Sequence, residues 1–285
     1  MGILTLEGVS FVYSPDTPFE KEALTDVNID FKANRTTGII GHTGSGKSTV
    51  AQLLNGLIKA SEGRVLFNGK DIFEKPSEIG KIRFKVGLVF QYPEYQLFEE
   101  TVFRDIAFGP VNMGLSEEEI KERVKRASRF VGIDESLFDK SPFDLSGGQK
   151  RRVAIAGIMA MEPEIIVLDE PAAGLDPKGR DDIFSGIRKW QNENGKTVIL
   201  ISHSMEDMAK YADDIVVMKS GRVLTSGTVD EVFCKSKLIE ESELLLPEIT
   251  VLTDILSERG LIDGKGLYTV DKAYKRISAS LKGLK

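Results

Sequence analysis

The sequence predicts an α/β fold in which a mostly parallel sheet is covered by helices on both faces. Three observations predict it. A short apolar strand, TTGII at 36–40, runs into a glycine-rich turn and then a stretch with Val50, Leu53, Leu54 and Leu57 at helical spacing. Further on, short apolar strands, IIVL at 165–168 and TVILIS at 197–202, alternate with a helix expected over 180–192. Strands apolar throughout, rather than alternating, belong to parallel sheets buried on both faces. Between these parts, helical patterns over 116–160 interrupt the sheet and read as an inserted subdomain.

Each element has its own signal. ILTLEGVSFVY at 3–13 partly alternates, and Asn68-Gly69 inside RVLFNGKDI marks a hairpin. KVGLVF at 85–90 is a buried-type strand, followed by an aperiodic polar and aromatic stretch, QYPEYQLFEETV at 91–102. Ser116 with Glu119 suggests a capping box, and Ile120, Val124, Ala127 and Val131 mark one helix face. A second helix is expected from Gly147 to Ala160. Ser204 caps a short helix, and DIVVM and RVL pair across a turn at 219–221. The composition shifts near 228. Pro247 is placed to open a helix whose stripe is Ile249, Leu252 and Leu256. The expected division is residues 1–229 as the main domain, with helices inserted at about 93–160, and 230–285 as a C-terminal extension, a small extra domain or a dimerisation element.

Bulk properties narrow the function classes. Of 285 residues, 41% are hydrophobic and 29% charged, ordinary for a globular protein, and the net charge is −6. That balance argues against a nucleic-acid binder, which presents a basic face. No apolar run approaches the roughly 18 residues that span a bilayer, and the N-terminus has no signal-peptide pattern. One cysteine, Cys234, excludes an intramolecular disulfide and receives no role. A cytosolic protein is expected, held at any membrane by a partner.

Three motifs carry chemistry. GHTGSGKS at 41–48 fits G-x-x-x-x-G-K-S/T with the required strand before and helix after. Gly41, Gly44 and Gly46 let the backbone curl so that its N–H groups face a phosphate, and the helix start adds positive charge. Lys47 reaches the β- and γ-phosphates, Ser48 offers its hydroxyl to Mg²⁺, and Thr49 sits near the α-phosphate. His42, Thr43 and Ser45 complete the loop. IIVLDE at 165–170 is a strand ending in two carboxylates: Asp169 beside Mg²⁺, and Glu170 able to polarise an attacking water as general base. LSGGQ at 145–149 puts Ser146, Gly147, Gly148 and Gln149 at a helix start, a second anion site. Two separate helix ends of one chain cannot easily wrap one γ-phosphate, so the second site suits ATP held by another subunit.

With Gln91 after a strand, AGLDP at 173–177 and His203 at a strand end, these motifs stand in the order of ATP-binding-cassette (ABC) ATPases, which the chain resembles over about residues 3–230. The resemblance implies a P-loop NTPase with a RecA-like parallel sheet core, an antiparallel β subdomain, an inserted helical subdomain and a small C-terminal domain. It implies that Tyr13 stacks on adenine, that Gln91 contacts Mg²⁺ and the water, that Asp176 crosses a dimer interface, and that His203 touches the γ-phosphate. QYPEYQLF, DIAFGP and SPFDLSGGQKRRVAIAG resemble the energy-coupling-factor group of prokaryotic importers of vitamins and transition-metal ions, in its second ATPase type. That resemblance implies pairing with a paralogous ATPase or with a second copy, a transmembrane coupling protein, and a substrate-binding membrane component. It also implies a place on the cytoplasmic face of the membrane, and no nucleic-acid partner. Glu94, Glu99 and Glu100 are candidate contacts for arginines of the coupling protein. The alternatives are an ATPase of another transporter class and a soluble cassette with no transport role. Nothing in the chain names the cargo.

Overall fold

The computed structural model describes residues 2–233, 244, 246–262 and 267–283; Cys234 lies outside them. Two sheets carry the fold. The first is a four-stranded antiparallel sheet in the order β2-β1-β4-β5, from β1 (Leu4–Tyr13), β2 (Lys21–Phe31), β4 (Glu62–Phe67) and β5 (Lys70–Asp71). The second has six strands in the order β10-β9-β3-β8-β7-β6. Its members are β3 (Thr36–Ile40), β6 (Val86–Val89), β7 (Ile165–Asp169), β8 (Thr197–Ile201), β9 (Asp214–Lys219) and β10 (Arg222–Thr228). The inner pairs are parallel, and only β10 runs antiparallel, against β9. Strands β3, β6, β7 and β8 are buried at every residue, which is why they read as unbroken apolar runs.

One apolar cluster lies between the two sheets and includes α1 (Lys47–Leu54). A second lies on the other face of the parallel sheet. It includes α3 (Val102–Asn112), α4 (Glu117–Val131), α5 (Gly147–Ala160) and α6 (Pro177–Asn194). On α4, Val124, Ala127 and Val131 are buried and Ile120 packs against the cluster, as the periodicity predicts. The Asn68-Gly69 hairpin joins β4 to β5 with both residues at positive φ, 49° and 76°, which a two-residue hairpin turn requires.

Two local expectations change. Ser116 caps α4 by accepting from the Glu119 N–H, but the Glu119 carboxylate turns to Arg123 one turn on, so only half of the capping box forms. The complete box sits at Ser146 and Gln149, at the start of α5. In the C-terminal part, α9 (Glu248–Glu258) opens after Pro247, but its fully buried residues are Thr250 and Thr253. Thr253 donates to the carbonyls of Ile249 and Leu267, whereas Leu252 of the predicted stripe is exposed. Helices α2 (Ile79–Lys85), α7 (Met205–Tyr211), α8 (Val229–Phe233) and α10 (Val270–Gly283) complete the chain. No helix among the described residues is long and apolar enough to cross a membrane.

Candidate active site

Strand order decides where the site lies. β3, β8, β7 and β6 are adjacent and parallel, so the segments leaving their C-terminal ends emerge side by side. The segments after them carry the glycine loop, His203, Asp169–Glu170 and Gln91. They meet in a cleft of about 550 Å³ that Tyr13 closes from β1. Gly41, His42, Thr43, Gly44, Gly46, Lys47, Ser48 and Thr49 also line it, while Ser45 is buried beneath the loop.

The glycine loop is shaped by backbone constraint. Gly44 and Gly46 hold φ of 82° and 102°, and a Cβ on Gly46 would meet Leu24 of β2 at 2.6 Å and the Ala23 carbonyl at 2.9 Å. Gly221, in the β9–β10 turn, accepts from the Thr25 N–H of β2 and donates to the Ser45 carbonyl. One residue thus ties the antiparallel sheet to the loop. Lys47 Nζ donates to the carbonyls of Gly41 and His42 at 2.7 and 2.9 Å, so its ammonium lies inside the curl. Burial pulls the Lys47 pKa down, while Glu170 and Asp169 act to raise it. The Tyr13 hydroxyl is 3.1 Å from Thr49 Oγ1, and its ring meets Phe11 edge-on.

The acidic side is equally organised. Burial pushes the Asp169 pKa up, while a hydrogen bond from Ser48 works against that shift. Glu170 has φ 51°, unusual for a residue with a Cβ, and its N–H donates to the Ile201 carbonyl on β8. Its carboxylate is held by His203: the His203 N–H donates to Glu170 Oε1 at 3.0 Å, and His203 Nδ1 lies 2.8 Å from the same oxygen. The Glu170 side chain is nearly enclosed, whereas the His203 side chain is 75% exposed. Gln91 is exposed at the cleft edge.

Ser146–Gln149 and Asp176 do not line this cleft. Ser146 Oγ accepts from the Gln149 N–H, and Gln149 Oε1 accepts from the Ser146 N–H. The outward donors of that helix start are therefore the N–H groups of Gly147 and Gly148. Exposed Asp176 caps α6 by accepting from the Gly179 N–H at 2.6 Å. Sequence reasoning missed Lys21 and Ala23 of β2 and Leu244, all of which line the cleft. Lys21 pairs in register with Tyr13, a placement visible only once β1 and β2 are paired.

The family model described as ABC transporter matches residues 24–173. The chain belongs to the ABC transporter family. Within it, the energy-coupling factor transporter ATP-binding protein EcfA2 of Clostridium acetobutylicum is 53% identical over 283 residues, 99% of each chain. EcfA2 of Caldanaerobacter subterraneus subsp. tengcongensis is 52% identical over 282 residues, again 99% of each. A solved structure of cbiO1 from Clostridium perfringens, part of the ABC transporter complex cbiONQ, has a TM-score of 0.75 and 43% identity. It covers 89% of this chain and 99% of its own. The cassette MJ0796, dimeric and in a post-hydrolysis state with ADP and Pi, has a TM-score of 0.71 and 31% identity, covering 79% and 98%. The chain is thus an ABC ATPase of the energy-coupling factor branch, and the nucleotide it binds and hydrolyses is ATP.

Proposed function

We propose that this ABC ATPase powers import of a vitamin or a transition-metal ion as the second-type ATPase of an energy-coupling factor transporter. In this reading it sits at the cytoplasmic face of the membrane. There it pairs with a paralogous ATPase or a second copy, beneath a transmembrane coupling protein that carries a substrate-binding membrane component. The observation that carries the reading is the convergence of Lys47, Asp169, Glu170 and His203 on one cleft. Each ATP is held by Tyr13 at the base and by Gly41–Thr49 around the phosphates, with Lys47 on the β- and γ-phosphates. The oxygens of Asp169 and Ser48, beside Gln91, suit Mg²⁺, a hard cation that takes one or two protein ligands together with substrate phosphates. When bound, Mg²⁺ supplies positive charge against the phosphates.

Catalysis is positioning and charge stabilisation. Glu170 accepts a proton from the attacking water, and His203 fixes that carboxylate while its exposed ring reaches towards the γ-phosphate. Gly147 and Gly148 present their N–H groups to ATP held by the other subunit, with Asp176 crossing between the two. ATP joins the subunits, and its hydrolysis separates them, a nucleotide-driven two-state switch.

Glu170→Gln tests the reading. It removes the base but keeps the shape, so turnover should fall by about three orders of magnitude, within the range of general-base contributions. ATP binding, measured by calorimetry, should persist. Hydrolysis near the native rate would remove Glu170 from the mechanism.

A further inference from the structure

We propose that Arg151 is a positioning residue that locks the loop after β6 to the segment leading away from Glu170. Its side chain, in the second turn of α5, is only 5% exposed. The guanidinium faces two ways. Nε and Nη2 hold the two carboxylate oxygens of Glu94 at 3.1 and 2.8 Å, a bidentate fork. Nη1 donates to the main-chain carbonyl of Ala173. Glu94 lies three residues beyond Gln91, in the single 3₁₀ turn Pro93–Gln96. Ala173 lies three residues beyond Glu170, and its N–H returns to the Glu170 carbonyl. One side chain therefore sets the spacing between two loops that each leave the ATP cleft.

The chemistry requires arginine. A lysine ammonium offers no planar fork, so it cannot hold both carboxylate oxygens and a carbonyl on its far side. Because the guanidinium is enclosed, losing Glu94 leaves an uncompensated charge in a water-poor setting, so the Ala173 end responds. Movement of the Glu94 loop thereby becomes movement of the segment 170–176, which carries Asp176. Glu94 is turned inward by this pairing and is not free for an outside arginine. The effect on turnover rests on Glu170 being the base, whereas the lock itself does not.

Hydrogen–deuterium exchange on the full chain separates the two. Glu94→Gln touches no atom of 171–176, yet it should speed exchange in peptides covering 171–176 several-fold, as Arg151→Met does, with α4 unchanged. Exchange at 171–176 that stays at the native rate in Glu94→Gln would overturn the proposal. A second variant joins Glu94→Arg to Arg151→Glu, which restores an ion pair but not the bond to the carbonyl. It should stay fast at 171–176, and a return to native protection would reduce Arg151 to an ordinary ion pair. In the hydrolysing assembly, Arg151→Met should lower kcat about tenfold while KM for ATP moves less than about threefold. A raised KM with native kcat would also overturn it. Failure of the Glu170→Gln test would remove the base assignment and leave the exchange result standing.

Discussion

Glu170 is held where an ordinary residue avoids being. A positive φ of 51° on a side chain with a Cβ costs on the order of 1 kcal/mol or more and persists only when its surroundings over-determine it. Here the N–H bond to Ile201 and the two contacts from His203 do so. Asp105 is a different kind of constrained residue. Buried on α3, it accepts from the N–H groups of Phe98 and Glu99 and so fastens the end of the loop after β6. Burial raises its pKa, against the opposing effect of those two N–H groups. A raised carboxyl pKa favours the protonated form in the fold. The associated stability is present below the unfolded value and is lost as pH rises through the folded one. Asp105→Asn should escape that loss. Its melting temperature relative to the native chain should therefore be higher at pH 7 than at pH 4.5, as calorimetry reads it, and a difference that is flat or reversed with pH would refute the assignment.

Among the elements, the loop 91–101 is tied to its surroundings at several points. Tyr92, at φ 57°, turns the chain into the 3₁₀ turn, Arg151 holds Glu94, and Arg104 holds Glu100. Of its three glutamates, Glu99 lines an apolar groove of about 470 Å³ with Phe103, Phe108 and Ile120. Glu99→Lys should weaken pull-down of the transmembrane partner by about tenfold, roughly the cost of one misplaced charge at an interface, with ATP affinity unchanged. Equal recovery of the partner would remove Glu99 from the contact.

Elements whose signals are local were legible in the sequence: the glycine loop, the Asn68-Gly69 turn, and the burial face of α4. Strand β2 was not, because its buried residues Leu24, Val27, Ile29 and Phe31 break the period of two. Gly8, at φ 57°, lies in the β1–β2 register shift between Leu6 and Val9, and Asp26, at φ 49°, in the next one, between Val27 and Leu24. The inward pull on Glu94 was equally hidden, since its partner lies 57 residues away. In the cleft, motif residues announced themselves, whereas Lys21, Ala23 and Leu244 are there only because the tertiary fold brings them.

At the scale of the whole molecule, the parallel sheet gathers one half of the proposed two-subunit site at its C-terminal edge. The start of α5 does not line the cleft, and in the function proposed above a second subunit supplies that contact. The C-terminal helices offer a further surface, since Val251 and Ile255, one turn apart on α9, are both exposed. Replacing both with aspartate should weaken pairing of subunits by about tenfold or more, in line with losing two apolar anchors, with ATP affinity retained. Sedimentation at native strength would exclude this face.

Gly221 ties β2 to the glycine loop through two backbone bonds, and Gly46 leaves no room between them. The sheet that carries Tyr13 and the glycine loop are thus joined through main chain, so in the proposed site the distance between them is set by backbone bonds, and the cleft would work as a ruler. With Tyr13 in its proposed role, such a ruler would gauge the span from ring to terminal phosphate, and the base would enter only as a flat surface to lie against.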